Sequence, residues 1–413
     1  MKIAVVGGGS TYTPELIDGF ARLAPFVSEI VLLDPAADRL AAVGGFAQRL
    51  LAHHGSAARL RWTSDVDDAL AGAAMVVVQL RVGGQAARIS DETFPLICDC
   101  VGQETTGAGG LAKALRTVPV VLDIARRADP GAWIVNFTNP VGIVTRALLD
   151  HGHRAAGLCN VAIGFQRRWA AGLGVEPSAV TLDHVGLNHL TWERAAYVDG
   201  VDRLPEIMDK HLDNLAAGLQ IPAEVLATLG HVPSYYLRYF YSHDAVVAEQ
   251  RGQPTRGALV ADIERELLAL YADPSVVTKP ELLEGRGGAY YSEAAVGLIA
   301  SLRHDDGGVH AVDVRNNGTM PFLPDEAVIE VTCRVGADGA TPLPVAPLRP
   351  ELAGLVGAVA AYEELAVEAA VRGGRERVYA ALLAHPLIGQ HDRAARLTDE
   401  LLAANRDHLA WLS

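Results

Sequence analysis

The run Lys2-Ile3-Ala4-Val5-Val6 stops at Gly7-Gly8-Gly9-Ser10 and gives way to a helical pattern carrying Leu16, Ile17 and Phe20. Strand, glycine turn and helix in that order open a nucleotide-binding α/β unit, because small residues let backbone N–H groups and the helix dipole face a pyrophosphate. A second apolar run, Ile30 to Leu33, ends at Asp34, at the spacing where such folds set a carboxylate on the adenosine ribose. Tyr12 occupies the third glycine position of G-x-G-x-x-G, so the turn alone also fits any tight βα connection. No G-x-x-x-x-G-K-[ST] occurs, which favours a dinucleotide over ATP. Gly7, Gly8, Gly9, Ser10, Thr11 and Asp34 are the candidate cofactor-binding residues.

Further apolar runs at Met75–Val78, Trp133–Phe137 and 155–159 alternate with helical patterns, which predicts a doubly wound parallel sheet with helices on both faces. Polar or glycine-rich residues follow the carboxyl end of each run (Gly7–Ser10, Arg81–Gly84, Thr138–Pro140, Asn160), the edge at which open α/β sheets bind ligands. At 413 residues the chain exceeds what one hydrophobic core holds. After about residue 160 the rhythm changes to helices at 204–219, 255–271, 351–372 and 393–412, mixed with strands near 180–199 and 309–334. We therefore expect a Rossmann-like domain over 1–159 and an α+β domain over 160–413.

The formal charge is −14, from 49 acids against 35 bases, with no basic block, so nucleic acid is not an expected partner. No apolar run reaches the ~18 residues that cross a bilayer, and the start has no signal-peptide pattern. A cytoplasmic protein is the expectation. The four cysteines, Cys98, Cys100, Cys159 and Cys333, make no disulfide framework and leave thiolate chemistry open.

Five positions draw attention. Cys159, in "GLCN", ends a strand on the ligand edge; it is either buried packing or a soft ligand. His189, in "GLNHL", is a core histidine or a partner for that thiol, and a thiolate with an imidazole suits a borderline divalent ion. His184 would point the other way along the strand. Asn139, in "NFTNP", either caps a loop or reaches a ligand. Glu104, in "GQETTGAGG", either caps a helix or orients a base. Tyr236, in "PSYYLRYFY", belongs to a packing face unless a cation lowers its pKa. Cys98 and Cys100 are read as structural packing.

Taken together, "GGGSTYTPEL", "GQETTGAGG", "NFTNPVGIVT", "GLCNVAIGF", "GLNHL", "YLRY", "RGGAYYSEAA" and "VRNNGTMPFLPDEAVIEV" resemble glycoside hydrolase family 4, and within it the branch acting on 6-phospho-β-glucosides. The resemblance runs from end to end. It implies a two-domain architecture like that of lactate and malate dehydrogenases, NAD as cofactor, a divalent metal (typically Mn²⁺) and a homodimer or homotetramer. Members of this family depart from the two-carboxylate scheme of most glycosidases. The implied reaction is redox-neutral: oxidation at C3 of the sugar makes the C2 proton acidic, its loss expels the C1 substituent, and water addition and re-reduction complete hydrolysis.

By the same resemblance Cys159 and His189 hold the metal, Tyr236 removes the C2 proton, and Glu104 raises that tyrosine's basicity. Arg88, Asn139 and Arg256 match substrate-binding positions, the arginines suiting a 6-phosphate. Asn160 stands where α-selective members carry an aspartate acid, which points to β-linked substrates. Ala162, Arg146 and Ser90 depart from the family's usual proline, glutamate and asparagine. Alternatives from the same residues are a family 4 glycosidase for another sugar, a dehydrogenase that releases NADH, and a non-catalytic dinucleotide or sugar-phosphate sensor.

Overall fold

The computed structural model describes residues 1–288 and 290–412. Their strands are β1 (Lys2–Val6), β2 (Glu29–Leu33), β3 (Arg59–Thr63), β4 (Met75–Val78), β5 (Trp133–Asn136), β6 (Ala155–Gly157), β7 (Val180–Leu187), β8 (Leu190–Val198), β9 (Val201–Asp202), β10 (Val232–Pro233), β11 (Gly308–Arg315), β12 (Val328–Gly336) and β13 (Gly339–Pro342). All join one sheet in the order β10-β8-β7-β12-β11-β6-β5-β4-β1-β2-β3, with β13 on β12 and β9 on β8.

The first six strands pair in parallel in the order β3-β2-β1-β4-β5-β6, the strand order of a dinucleotide-binding fold. Their sequences dictate this. "MVVV" of β4 and residues 3–6 of β1 are buried throughout, as strands covered by helices on both faces must be. The second half is antiparallel: β11 with β12, β12 with β7, β7 with β8. It meets the first half at a single register pair, Asp313 with Gly157.

Helices bind the halves together. Thr13–Leu23 packs against Tyr291–His304, and Gly107–Arg127 against Pro350–Arg372. The main hydrophobic core accordingly runs through both halves, from Ile3 to Leu409.

Some expected elements end early. The strand expected to reach Cys159 stops at Gly157, which leaves Leu158 and Cys159 in the loop beyond the sheet. The helix expected over 393–412 is His391–Ala404; Asn405 turns its amide back to the Leu401 carbonyl at 2.8 Å and ends it. The aromatic segment is a 3₁₀ turn, Tyr235–Leu237, followed by a short helix, Arg238–Tyr241.

Candidate active site

The glycine loop leaves β1 with Gly7 at φ 84°, where a side chain would also lie 2.8 Å from the Gln79 carbonyl. Gly7 and Gly8 donate to the Leu33 carbonyl, both at 2.9 Å. Asp34, one residue past β2, accepts from Gly9 N–H at 3.0 Å and from Ala36 N–H at 2.9 Å. Its carboxylate therefore sits against the loop. Arg286 roofs the loop, its Nε donating to Thr11 Oγ1 at 2.8 Å and its guanidinium paired with Glu264 at 3.0 Å. Tyr12 stands at the third glycine position because its hydroxyl donates to the Gly288 carbonyl and its ring lies under Arg286, 5.5 Å from ring centre to Cζ. A glycine there would leave that segment without its anchor. All six candidate cofactor residues, Gly7 to Thr11 and Asp34, thus lie together.

On the same sheet edge, past the carboxyl end of β6 and with β5 and β4 between it and β1, Cys159 Sγ lies 3.5 Å from His189 Nε2. His189 occupies the turn between β7 and β8, with φ 124°, a backbone region that costs a non-glycine residue about 1–3 kcal/mol. Four contacts hold it there. Ser234 Oγ donates to its carbonyl at 3.0 Å, and Thr105 Oγ1 lies 3.1 Å from its Nδ1. The Tyr236 ring stacks on the imidazole at 3.6 Å and 6°, and the preceding residue, Asn188, donates to Glu330 at 2.8 Å.

Burial draws His189 down to about 4, so the ring is neutral at pH 7. Burial, then Glu330 and Asp313, pushes the Cys159 thiol well above its usual range. Burial also raises the Tyr236 phenol well above ordinary, with Cys159, Tyr239 and Glu104 adding and Arg88 opposing.

Glu104 is the hub of a buried charge cluster. Arg81 engages both of its oxygens; Lys113 Nζ is at 2.6 Å and Arg88 Nε at 3.2 Å. Burial works to raise its pKa, but Lys113, Arg81 and Arg88 outweigh it and hold the carboxyl well below its usual range. Burial, and then Arg81, draws Lys113 down to about 7. Arg88 also donates to Glu92 at 2.8 Å.

Asn139 lies on the same edge with a buried side-chain oxygen that meets no hydrogen-bond partner among the described residues, the mark of a group that meets a ligand or water. Asn160 begins the Val161–Leu173 helix, its Oδ1 3.9 Å from Cys159 Sγ. Arg256 is placed differently. It is exposed at the start of Arg256–Ala272, and its guanidinium turns to the Gly285 carbonyl at 2.8 Å; its neighbour Gly257 donates to Glu92 at 2.7 Å. It is thus the neighbour Gly257, rather than Arg256 itself, that meets Arg88's partner Glu92.

Beneath the pair, one row across the sheet reads Gly157, Asp313, Glu330, Gly186. His184 bridges Glu193 at 2.6 Å and Glu330 at 2.9 Å; despite the burial, Glu193 and Glu330 raise it to about 10. Asp313 is fully buried, and neither carboxyl oxygen finds a partner from another residue among the described residues; burial, then Glu330, pushes it well above the carboxylate range. Sequence reasoning named Arg81 only as part of the ligand edge and His184 only by its direction, and missed Asp313, Glu330, Glu193, Lys113 and Thr105. The available signals were a lone lysine in the small-residue helix "GAGGLAKAL" and an acid between valines in "AVDV".

A thiol and an imidazole in contact, with no third His, Cys, Asp or Glu completing a ligand group among the described residues, fit a borderline divalent ion whose other positions belong to substrate or water. With the glycine loop and Asp34 on the same edge, fold and site define a Rossmann-type α/β enzyme. Residues 2–175 match the model of the Family 4 glycosyl hydrolases, and residues 184–388 that of the Family 4 glycosyl hydrolase C-terminal domain. The chain belongs to glycoside hydrolase family 4.

A probable 6-phospho-beta-glucosidase of Bacillus subtilis is 37% identical over 431 residues, which cover 99% of this chain and 97% of that one. The 6-phospho-beta glucosidase of Thermotoga maritima, solved with manganese, NAD⁺ and glucose-6-phosphate, is similar with TM-score 0.92 at 33% identity, covering 99% of each chain. A malate dehydrogenase from Plasmodium falciparum shares the fold at TM-score 0.55 and 14% identity, over 90% of this chain and 99% of that one.

Proposed function

We propose that this chain hydrolyses 6-phospho-β-glucosides with NAD⁺ and a divalent metal ion, Mn²⁺ fitting the donor set, through oxidation at C3, elimination across C1–C2, water addition and re-reduction. The observation that carries this reading is the contact of Cys159, His189 and Tyr236 on the sheet edge that also bears the dinucleotide loop. When bound, NAD⁺ supplies a reversible hydride acceptor and the metal supplies Lewis acidity to the sugar's vicinal oxygens.

The chain's own residues do the rest. Cys159 and His189 hold the metal. Tyr236, fixed by its stack on His189, takes the C2 proton; Arg88 already lowers its pKa against burial, and a divalent cation adds on the same side. Glu104 raises the basicity of Tyr236, and its pairing with Arg81, Lys113 and Arg88 offsets part of the repulsion among three basic groups at a buried site. Arg88, Asn139 and Arg256 meet the phosphorylated sugar, Arg256 after leaving the Gly285 carbonyl. Asn160 carries an amide, which donates no proton to a leaving group; this favours β-linked substrates with good leaving groups or water as the acid. Gly7 to Thr11 and Asp34 bind the dinucleotide.

The proposed assembly is a homodimer or homotetramer, supported by exposed apolar side chains such as Val201 and Phe322. No described helix is long and apolar enough to cross a membrane, and the four free cysteines suit a cytoplasmic enzyme.

The test is hydrolysis of nitrophenyl 6-phospho-β-glucoside in ²H₂O with NAD⁺, Mn²⁺ and a thiol reductant. Glucose 6-phosphate deuterated at C2 is expected. Product without deuterium at C2, or turnover undiminished by removal of NAD⁺, overturns the reading.

A further inference from the structure

We infer that Gln103 and Thr105 set the tautomer of His189, so that its Nε2 lone pair faces the metal position beside Cys159. The inference rests on the proposed metal site and deepens it.

The backbone N–H of Thr105 can only donate, and it points at the end of the Gln103 side chain, so the atom it meets is the amide oxygen. Thr105 Oγ1 lies 2.8 Å from that same oxygen. An amide oxygen has no hydrogen to give, so the hydroxyl hydrogen is committed to it. Only lone pairs of Oγ1 then remain for His189 Nδ1, 3.1 Å away, and Nδ1 must carry the hydrogen.

In the neutral ring, the form that binds metals, this leaves Nε2 bare, and Nε2 is the nitrogen 3.5 Å from Cys159 Sγ. A hydrogen-bond partner on the far nitrogen commonly fixes the tautomer and direction of a metal-binding imidazole. Here the two-residue relay comes from "GQETT", the segment that also supplies Glu104.

The backbone is pinned separately. Ser234 fixes the His189 carbonyl, and Asn188 is tied to Glu330. With the main chain held at φ 124° and Tyr236 covering one ring face, the free choice left to the side chain is which nitrogen carries its proton. Thr105 makes it.

The experiment combines ¹⁵N-histidine NMR of the metal-free protein with Mn²⁺ titration of the NAD⁺-loaded protein, followed by the EPR signal of free ion. In wild type the His189 signals should report hydrogen on Nδ1. Thr105→Val should weaken Mn²⁺ binding about 10- to 100-fold, while Thr105→Ser, which keeps the hydroxyl, should stay within about 3-fold of wild type. Gln103→Leu frees the Thr105 hydroxyl to donate to Nδ1, and should weaken Mn²⁺ binding in the same sense while moving the ring hydrogen to Nε2. It also tests the relay should Thr105→Val fail to fold.

Hydrogen on Nε2 in wild type, or unchanged Mn²⁺ affinity in a folded Thr105→Val, overturns the assignment. A wild type that shows the Nδ1–H form but binds Mn²⁺ no better than Cys159→Ser overturns the metal site instead, and upholds the tautomer.

Discussion

Replacing Glu104 by glutamine tests whether the charge cluster is a structural device as well as a catalytic one. The substitution keeps the shape and removes one negative charge from three cations. At an effective dielectric of about 20, a pair at the 2.6 Å of Lys113 is worth about 6 kcal/mol and one at the 3.2 Å of Arg88 about 5 kcal/mol before desolvation. Desolvation cancels much of this in the intact cluster, but leaving a partner uncompensated in a buried site typically costs 3–5 kcal/mol. Glu104→Gln should therefore lose about that much in equilibrium urea denaturation.

Lys113, already drawn down to about 7, can shed its proton, so the uncompensated charge falls on Arg81 and Arg88, which stay protonated. Adding Arg81→Met removes one stranded guanidinium, and the double variant should recover about 2 kcal/mol or more of the deficit, a positive coupling in a double-mutant cycle. A Glu104→Gln protein within about 1 kcal/mol of wild type, or a double variant no better than the single, refutes the reasoning.

Three other substitutions have defined outcomes. Tyr236→Phe should lower kcat by about 10²- to 10⁴-fold and slow deuterium uptake at C2 in step with it, with Mn²⁺ affinity and Tm kept, because the ring still stacks on His189. Glu363 is pushed up to about 8 from 4.5 by burial, against Arg146 and with Glu330. Its folded-state pKa is raised, so the stability tied to its proton is complete below pH 4.5 and is lost as pH rises through about 8, by at most about 3–5 kcal/mol and toward the lower end given its partial exposure; Glu363→Gln should flatten that limb in denaturation profiles from pH 5 to 9. Gly157→Ala should destabilise by about 1–3 kcal/mol or more, since its methyl would lie 2.4 Å from Thr145 Oγ1 and 2.8 Å from Asp313 Cβ; an unchanged urea midpoint would mean that this seam is looser than described.

The parts of the site that could be read from the sequence are those whose signal is local. The glycine loop, Asp34 and the place of Cys159 just past β6 on the ligand edge each lie within a few residues of the turn that places them. Five of the six strands of the parallel half were legible for the same reason, as short apolar runs; β3 was not, because its sequence, RLRWT, is mostly polar and buries only Leu60. What escaped depends on register between distant strands. His184 meets Glu330 across 146 positions, a pairing fixed by β12 lying beside β7, and no periodicity reports which strands become neighbours. Lys113 was hidden because its helix is otherwise small and apolar, and its partner Glu104 lies in the loop before it. Arg256 is the opposite case: the family pattern places it on the substrate, whereas its guanidinium here rests on Gly285.

The way the two halves are joined bears on how a chain like this can be cut and recombined. Their strands touch at one residue pair, Asp313 with Gly157, whereas Tyr291–His304 and Pro350–Arg372, both late in the chain, cover helices that flank the parallel sheet. A fragment ending near residue 159 would keep every strand of the dinucleotide unit and lose the outer layer over its helices, uncovering Gly19, against which Ser292 and Val296 lie, and the start of Gly107–Arg127, where Tyr362 donates to the Gly107 carbonyl. Swapping cofactor halves between relatives therefore means exchanging those late helices as well, and a graft planned on strand boundaries alone would yield an insoluble product.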